Sequence, residues 1–463
     1  MYRLKQWRSF VLFFCCCIQL HAAEKNEIAL VQLSFDGITT YYSGVGTVLV
    51  QTQLLIEEMN RNPELPYHIK SYLVSAKGDP NYPYYAPTLL QQNREICERT
   101  GGELISLSHP IKGSPFATPT DWKVLCQEGA AVCADIINQN DYTVVIAHDT
   151  TYAQVPLHLK QMSLHRPYRI LWVPHATGLL FQDTPIRQEW EYAAMVGALD
   201  GSYKIGYTGL YFKDHFQSPP FSMPASCLEP YNLGILLDAY EKPISEEEIV
   251  KELQARSIPL NKKLIFSLGR AVNWKGHDIT LELYRHLKEQ HPDLHLVLLA
   301  PLTSMPKYFD MLKSRIENEG LDVTLIPTFD TQLARHMYQW KNTRIVSLLS
   351  RREPLSLTVM EARVNPTNAI VLVSSQGGLG PQVKDGVDGF VCDIGELDEI
   401  ISAPTPASQA MNALIDKANA ILLLSDEERA QIIANGKQLI REQYDLRKNL
   451  QDSLLNLFTL PAS

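Results

Sequence analysis

Residues 263 to 270 read Lys263-Leu264-Ile265-Phe266-Ser267-Leu268-Gly269-Arg270, and Asn273-Trp274-Lys275-Gly276-His277-Asp278 then leads into a helical stretch. A short apolar run that stops at a glycine reads as a buried strand, so this segment is a strand-to-helix corner of a parallel sheet. It is also a restart. A charged helical piece, Ser245 to Ala255, precedes it, and further strand-like runs follow at Leu294–Leu299, Val323–Pro327, Arg344–Leu349 and Ala369–Val373. An earlier series occupies Ile28–Phe35, His68–Val74, Tyr142–Ala147, Tyr168–Val173 and Tyr203–Tyr207. Helical stretches at Thr47–Met59, Leu89–Cys97 and Trp122–Ile137 alternate with it. Such alternation predicts α/β domains whose parallel sheets are covered by helices, and the restart predicts two of them. At 463 residues the chain is too long for one ordinary core. The expected division is 24–240, 241–425 and a helical tail 426–463 free to pack back on either domain, the N-terminal one included.

The first residues have another character. Arg3, Lys5 and Arg8 precede an apolar run from Phe10 to Leu20, and Ala22 and Ala23 stand before Glu24. This is the layout of a secretory signal peptide over residues 1–23, and the run is shorter than the ~20 residues of a membrane span. No later segment is long and apolar enough to cross, so no stable membrane span is expected. Removing the leader takes three basic residues and no acidic one, leaving 39 Lys and Arg against 51 Asp and Glu, a net charge of −12. That balance argues against a nucleic-acid partner. Cys15, Cys16 and Cys17 leave with the leader. Cys97, Cys126, Cys133, Cys227 and Cys392 remain, an odd number at wide spacing that reads as buried thiols.

Open parallel sheets bind ligands at the carboxyl ends of their strands, and the chemistry-bearing residues fall there. After the first strand, Gly44 and Gly46 open a helix, where bare backbone N–H groups can approach an anion. The third glycine of the dinucleotide fingerprint is missing, which argues against NAD. On the second domain's first corner, Arg270 and Lys275 can converge on one diphosphate, one as a fork and the other as a point charge. The stretch Ser350-Arg351-Arg352-Glu353-Pro354-Leu355-Ser356-Leu357-Thr358-Val359-Met360-Glu361-Ala362 places Pro354 at an expected helix start. Glu353 then sits just before the helix and Glu361 about two turns along it. Carboxylates accept from vicinal hydroxyls, as a sugar and a ribose present them, while N–H groups near Ser356 and Leu357 suit phosphate. Gln376-Gly377-Gly378-Leu379-Gly380 offers another close backbone approach.

Arg270 with Lys275, the Glu353-x7-Glu361 spacing and Gly377-Gly378-Leu379 resemble the retaining GT-B glycosyltransferases of the GT4 group. Further landmarks are Gly44-Val45-Gly46, Ala147-His148-Asp149, Pro174-His175 and Gly386-Val387-Asp388-Gly389-Phe390, so the resemblance covers nearly the whole chain after the leader. It implies two Rossmann-like domains with the active site between them, and a nucleotide-diphosphate sugar held mainly by the second. The diphosphate would lie on Arg270 and Lys275, the ribose on Glu361, and the donor sugar near Glu353. His175 would contact the transferred sugar from the first domain, and Asp149 would lie on the acceptor side. Gly44, Gly46, Ser356, Leu357, Gly377 and Gly378 complete the implied donor contacts. Two departures stand out: Ser356 replaces a glycine common in the first-Glu motif, and Gly380-Pro381-Gln382 lacks the acidic residue that often follows the glycine pair.

The resulting expectation is a retaining hexosyltransferase. No Asp-x-Asp motif is present to hold a metal, so neither a metal nor a cofactor beyond the donor is expected. The acceptor stays open among glycan, lipid, metabolite and protein. A rival reading is an exported, catalytically silent glycan or sugar-nucleotide binding protein with the same fold, and a third is a GT-B epimerase or phosphorylase. The leader places the protein outside the cytoplasm, periplasmic or secreted. Most members of the group work inside it, which makes a cytoplasmic protein the alternative.

Overall fold

The structure is a computed structural model that describes residues 25–82, 84–110, 118–302, 306–397 and 408–459. The expected leader lies outside the described residues. The first sheet contains β1 (Asn26–Leu33), β2 (Tyr67–Lys77), β3 (Leu104–Pro110), β4 (Thr143–His148), β5 (Tyr168–Val173), β6 (Lys204–Tyr207) and β7 (Leu228–Pro230). Their spatial order is β3-β2-β1-β4-β5-β6-β7, and every pairing is parallel. The second sheet contains β8 (Lys263–Leu268), β9 (Leu294–Leu299), β10 (Val323–Ile326), β11 (Thr343–Leu348), β12 (Ile370–Ser374) and β13 (Phe390–Cys392), in the order β10-β9-β8-β11-β12-β13 and again parallel. Both orders reverse direction beside the first strand of the series. That switch point opens a crevice at the strands' carboxyl ends.

The central strands are apolar and buried on both faces, as β4 (TVVIAH) and β9 (LHLVLL) show, because helices cover both sides of each sheet. The first sheet separates a cluster around Leu33, Trp122, Tyr152 and Trp172 from one around Leu30, Val144, Ile146 and Tyr231. The second separates Leu281, Tyr284 and Leu298 from Phe266, Val346 and Tyr338. The sequence reading passed over β3, β7, β13 and the helix Pro185–Gly197. The two edge strands β7 and β13 have three residues each, too few for a period to be seen.

The last helix, Leu446–Phe458, leaves the second domain and packs Leu446, Leu450, Leu454, Leu457 and Phe458 against the first sheet's Ile28, Leu30 and Tyr142. The Tyr142 hydroxyl donates to the Leu457 carbonyl at 2.8 Å, and Arg447 grips Glu58 through two nitrogens at 2.8 and 3.1 Å. The chain therefore crosses between domains twice. The two crossings lie side by side: the Ile235 N–H donates to the Tyr444 carbonyl at 3.0 Å and the Leu446 N–H to the Ile235 carbonyl at 3.1 Å. Gly234 permits this approach, since a Cβ there would stand 2.2 Å from the Tyr444 oxygen.

Candidate active site

Loops from the carboxyl ends of both sheets enclose a cavity of about 400 Å³. Tyr41, Tyr42, Ser43, Gly44 and Thr47 line it from the first domain, and Arg270, Lys275, Glu353, Ser356, Leu357 and Glu361 line it from the second. The tertiary fold thus joins residues that stand more than three hundred positions apart in the chain.

Arg270 follows the end of β8 and lines the cavity, with its guanidinium carbon 5.9 Å from the Trp274 ring. Gly269, at φ +145°, leaves room for the Lys275 stem, whose Cδ would lie 3.2 Å from a Cβ at that position. Lys275 forms an ion pair with the Glu353 carboxylate, so the site neutralises one of its own cations. Arg351 bolts the two donor loops together. It pairs with buried Asp278 through two nitrogens at 2.9 and 2.7 Å, and donates to the Asn273 carbonyl at 2.6 Å. Bidentate charge-assisted bonds of this kind fix geometry as well as energy.

The helix expected from Pro354 begins later, at Leu357, and runs to Val364. Ser356 is its cap, its hydroxyl accepting from the Val359 N–H at 3.4 Å. Pro354 stays outside because the preceding backbone is already engaged: the Glu353 carbonyl accepts from the Gly378 N–H at 2.6 Å. Glu361 consequently sits one turn into the helix rather than two. Gly377 and Gly378 serve this contact and do not line the cavity; a Cβ at Gly378 would be 1.9 Å from the Pro354 oxygen, and one at Gly377 2.5 Å from the Glu353 oxygen. Gln382 clasps the cap from behind. Its Oε1 accepts from the Ser356 N–H at 2.8 Å while its Nε2 donates to the Ser356 carbonyl at 3.0 Å. An amide fills both roles, which an ionised carboxylate cannot.

Glu361 lies under Tyr41, Tyr240 and Tyr338, and burial pushes its carboxyl up to about 7 although the Tyr240 hydroxyl donates to it at 3.1 Å. Across the cleft, Ser43 caps the helix Gly44–Arg61. Gly44 faces the second domain, its Cβ position 3.8 Å from Leu357 Cδ1. Gly46 does not line the cavity. Its N–H donates at 3.0 Å to Asp36, which a Cβ would strike at 2.7 Å. Sequence reasoning missed Asp36. This carboxylate also accepts from the Ser43 N–H at 2.9 Å and the Ser43 hydroxyl at 2.6 Å, so it takes much of the helix N-terminus for itself. Burial raises it to about 6 against those hydrogen bonds. The Asp-Gly pair at 36–37, directly after a strand, was its only signal.

His175 and Asp149 come together at the ends of β5 and β4. His148 Nδ1 and His175 Nε2 are 3.0 Å apart, with the rings stacked at 5.2 Å. Burial lowers both histidines, His175 to about 4 even though Asp149 pulls it upward, so the pair is neutral at pH 7. Asp149 holds φ at 60°, a backbone conformation that is uncommon outside glycine. Among the described residues no group of three or more His, Cys, Asp or Glu is placed to hold a metal ion.

Residues 249–439 match the model of the family described as glycosyl transferases group 1. A trehalose synthase from Thermococcus litoralis is 27% identical over 223 residues, covering 46% of this chain and 49% of the relative, so the match spans about half the relative's length. Sucrose-phosphate synthase from Thermosynechococcus elongatus superposes with a TM-score of 0.68 at 15% identity, covering 94% of this chain and 99% of that one. HepE from Anabaena, solved in complex with UDP-glucose, superposes with a TM-score of 0.61 at 14% identity over 93% of this chain and 99% of its own. The fold is GT-B: two Rossmann-like domains, with the cavity between them. Among the described residues no helix is long and apolar enough to cross a membrane.

Proposed function

We propose that this chain is a retaining glycosyltransferase that moves a hexose from a nucleotide-diphosphate sugar to an acceptor hydroxyl, with no bound metal or cofactor. The observation that carries the reading is the shared cavity, where Arg270, the Lys275–Glu353 pair and Glu361 face the glycine-opened helix of the other domain. The family match to residues 249–439 and the UDP-glucose complex of a protein with the same fold support a nucleotide-sugar donor.

In this reading Arg270 and Lys275 hold the diphosphate, Glu361 accepts from the ribose hydroxyls, and Glu353 lies beside the sugar. The bond from the anomeric carbon to the diphosphate oxygen breaks as the acceptor oxygen bonds to that carbon on the same face. The acceptor's proton passes to the departing diphosphate. Fixed positive charge aimed at the leaving group supplies the main stabilisation. Neutral His175 donates or accepts hydrogen bonds to the transferred sugar without adding charge, and Asp149 orients the acceptor. Lys275 would be shared between Glu353 and phosphate once the donor binds.

Export, resting on residues 1–23, is part of the proposal, and N-terminal sequencing of the native protein tests it. For the activity, a thermal-shift screen of nucleotide sugars selects the donor. Release of nucleoside diphosphate then measures turnover, and NMR of the product's anomeric proton reads the stereochemistry. Binding without any turnover, or an inverted product, would overturn the proposal.

A further inference from the structure

The segment that carries the chain from the first domain to the second reaches Glu361. Tyr240 stands on its short helix Leu237–Glu241, lines the cavity, and donates its hydroxyl proton to Glu361 Oε1 at 3.1 Å. Two other tyrosines act on this carboxylate without bonding to it: the Tyr41 hydroxyl bonds to Thr47 Oγ1 at 3.0 Å, and the buried Tyr338 hydroxyl has no partner among the described residues. Among the described residues, then, the Glu361 carboxylate accepts one hydrogen bond, and Tyr240 makes it.

A hydroxyl has one proton, and the neighbours of Tyr240 decide where it points. Gln51, buried on the helix Gly44–Arg61 of the first domain, accepts the Leu236 N–H on its Oε1 at 2.7 Å. That bond orients the amide, so its Nε2 faces the Tyr240 oxygen, 3.4 Å away. An amide N–H can only donate, which leaves the tyrosine's own proton for Glu361. Burial and the Glu361 charge push the Tyr240 hydroxyl well above its ordinary 10, so it keeps that proton at pH 9. The backbone beneath it is packed. Ile235 and Leu237 lie in one buried cluster with Met360, Val364 and Ile440, which leaves the Tyr240 ring little freedom to turn away.

We propose that Tyr240 is a positioning residue for donor binding, holding the Glu361 carboxylate by one oxygen so that the other faces the ribose, with Gln51 of the first domain setting the direction of its proton. The proposal rests on the transferase reading above; the pairing itself is tested without a donor.

A hydrogen bond to a charged group favours the charged form. Without it the Glu361 carboxyl, which burial raises to about 7, should rise further. The helix Asp426–Gln443 meets the Glu361 helix through Ile440, an apolar contact. The other charged side chains of the described cavity wall are Arg270, Lys275, Asp330, Arg335 and Glu353. They are the same in the variant and the unaltered chain, so comparing the two at one pH removes their share.

The full chain and Tyr240→Phe are compared in two measurements. One is a 13C NMR titration of the Glu361 carboxyl without ligand, its signal assigned by loss in Glu361→Gln. The other is calorimetric affinity for UDP-glucose and ADP-glucose, which share a ribose, at pH 6 and pH 9. The midpoint of the carboxyl titration should rise by about one pH unit in the variant, the effect of one lost hydrogen bond to a charged group. The variant should then bind the nucleotide sugar about tenfold more weakly at pH 6 and within about twofold at pH 9. An unmoved midpoint overturns the proposal. So does an affinity lost by the same factor at both pH values, which is what a contact of shape alone would give. Should Tyr240→Phe fail to fold, 3-fluorotyrosine at position 240, a stronger donor of nearly the same shape, should move the midpoint down, and no movement there overturns the proposal equally. A midpoint that moves in the variant while the unaltered chain binds alike at pH 6 and pH 9 would refute the ribose role of Glu361 and keep its pairing with Tyr240. Affinity that follows pH in the unaltered chain, with no movement in the variant, would do the reverse.

Discussion

Glu361 makes the donor site pH-dependent in a direction that can be worked out. Burial beneath Tyr41, Tyr240 and Tyr338 raises its carboxyl to about 7 from an ordinary value of 4.5. To accept from both hydroxyls of a ribose it must be ionised, and its ionised fraction falls from about nine-tenths at pH 8 to about one-tenth at pH 6. Affinity for the donor should therefore drop about tenfold over that interval, close to 1.4 kcal/mol. Calorimetric titration should use an intact nucleotide sugar, because its diphosphate is a diester and does not titrate there. Neutral His175, at about 4, adds nothing in this range, whereas Asp36, at about 6, could add a slope at the acid end. Glu361→Gln separates the two: it should bind weakly at both pH values and keep only the slope that Asp36 adds. The same substitution should raise the thermal midpoint of the unliganded chain at pH 8 and change it little at pH 5. A carboxyl whose folded pKa is raised contributes stability below its unfolded value and loses it as pH rises through about 7. Equal affinity at pH 6 and pH 8, or tighter binding in acid, would refute the assignment of an ionised Glu361 to the ribose.

Three further outcomes follow from the same site. Arg270→Ala should lower turnover by roughly 10²-fold or more, as for removal of one preorganised transition-state contact, measured as release of nucleoside diphosphate; a loss under threefold would place the diphosphate elsewhere. Glu353→Gln should abolish transfer yet keep or improve nucleoside diphosphate binding in calorimetry, because it frees Lys275 from its ion pair. Gly378→Ala should cut turnover and lower the thermal midpoint, since its Cβ would lie 1.9 Å from the Pro354 oxygen and must displace the Glu353 backbone; a variant that melts and turns over like the unaltered chain would contradict the close approach.

Much of the architecture could be read along the chain because it is written in local periodicity. Lys263–Leu268, Leu294–Leu299 and Tyr168–Val173 are strands with the bounds their apolar runs suggest. A strand buried on both faces must be apolar throughout, so its sequence announces it. Edge strands β7 and β13 bury little and carry no such mark. The residue types of the donor site were also visible, since cations, carboxylates and glycines at strand ends declare their chemistry without a structure. Their partners were not. That Lys275 neutralises Glu353, that Gly377 and Gly378 support a backbone instead of facing the cavity, that Asp36 occupies the helix N-terminus and that Trp122 and Asp149 line one small cavity are contacts across separate segments. Periodicity reports how a segment meets a core. Which two segments then meet each other depends on the packing of both sheets and of the returning helix Leu446–Phe458, and only the assembled fold decides it.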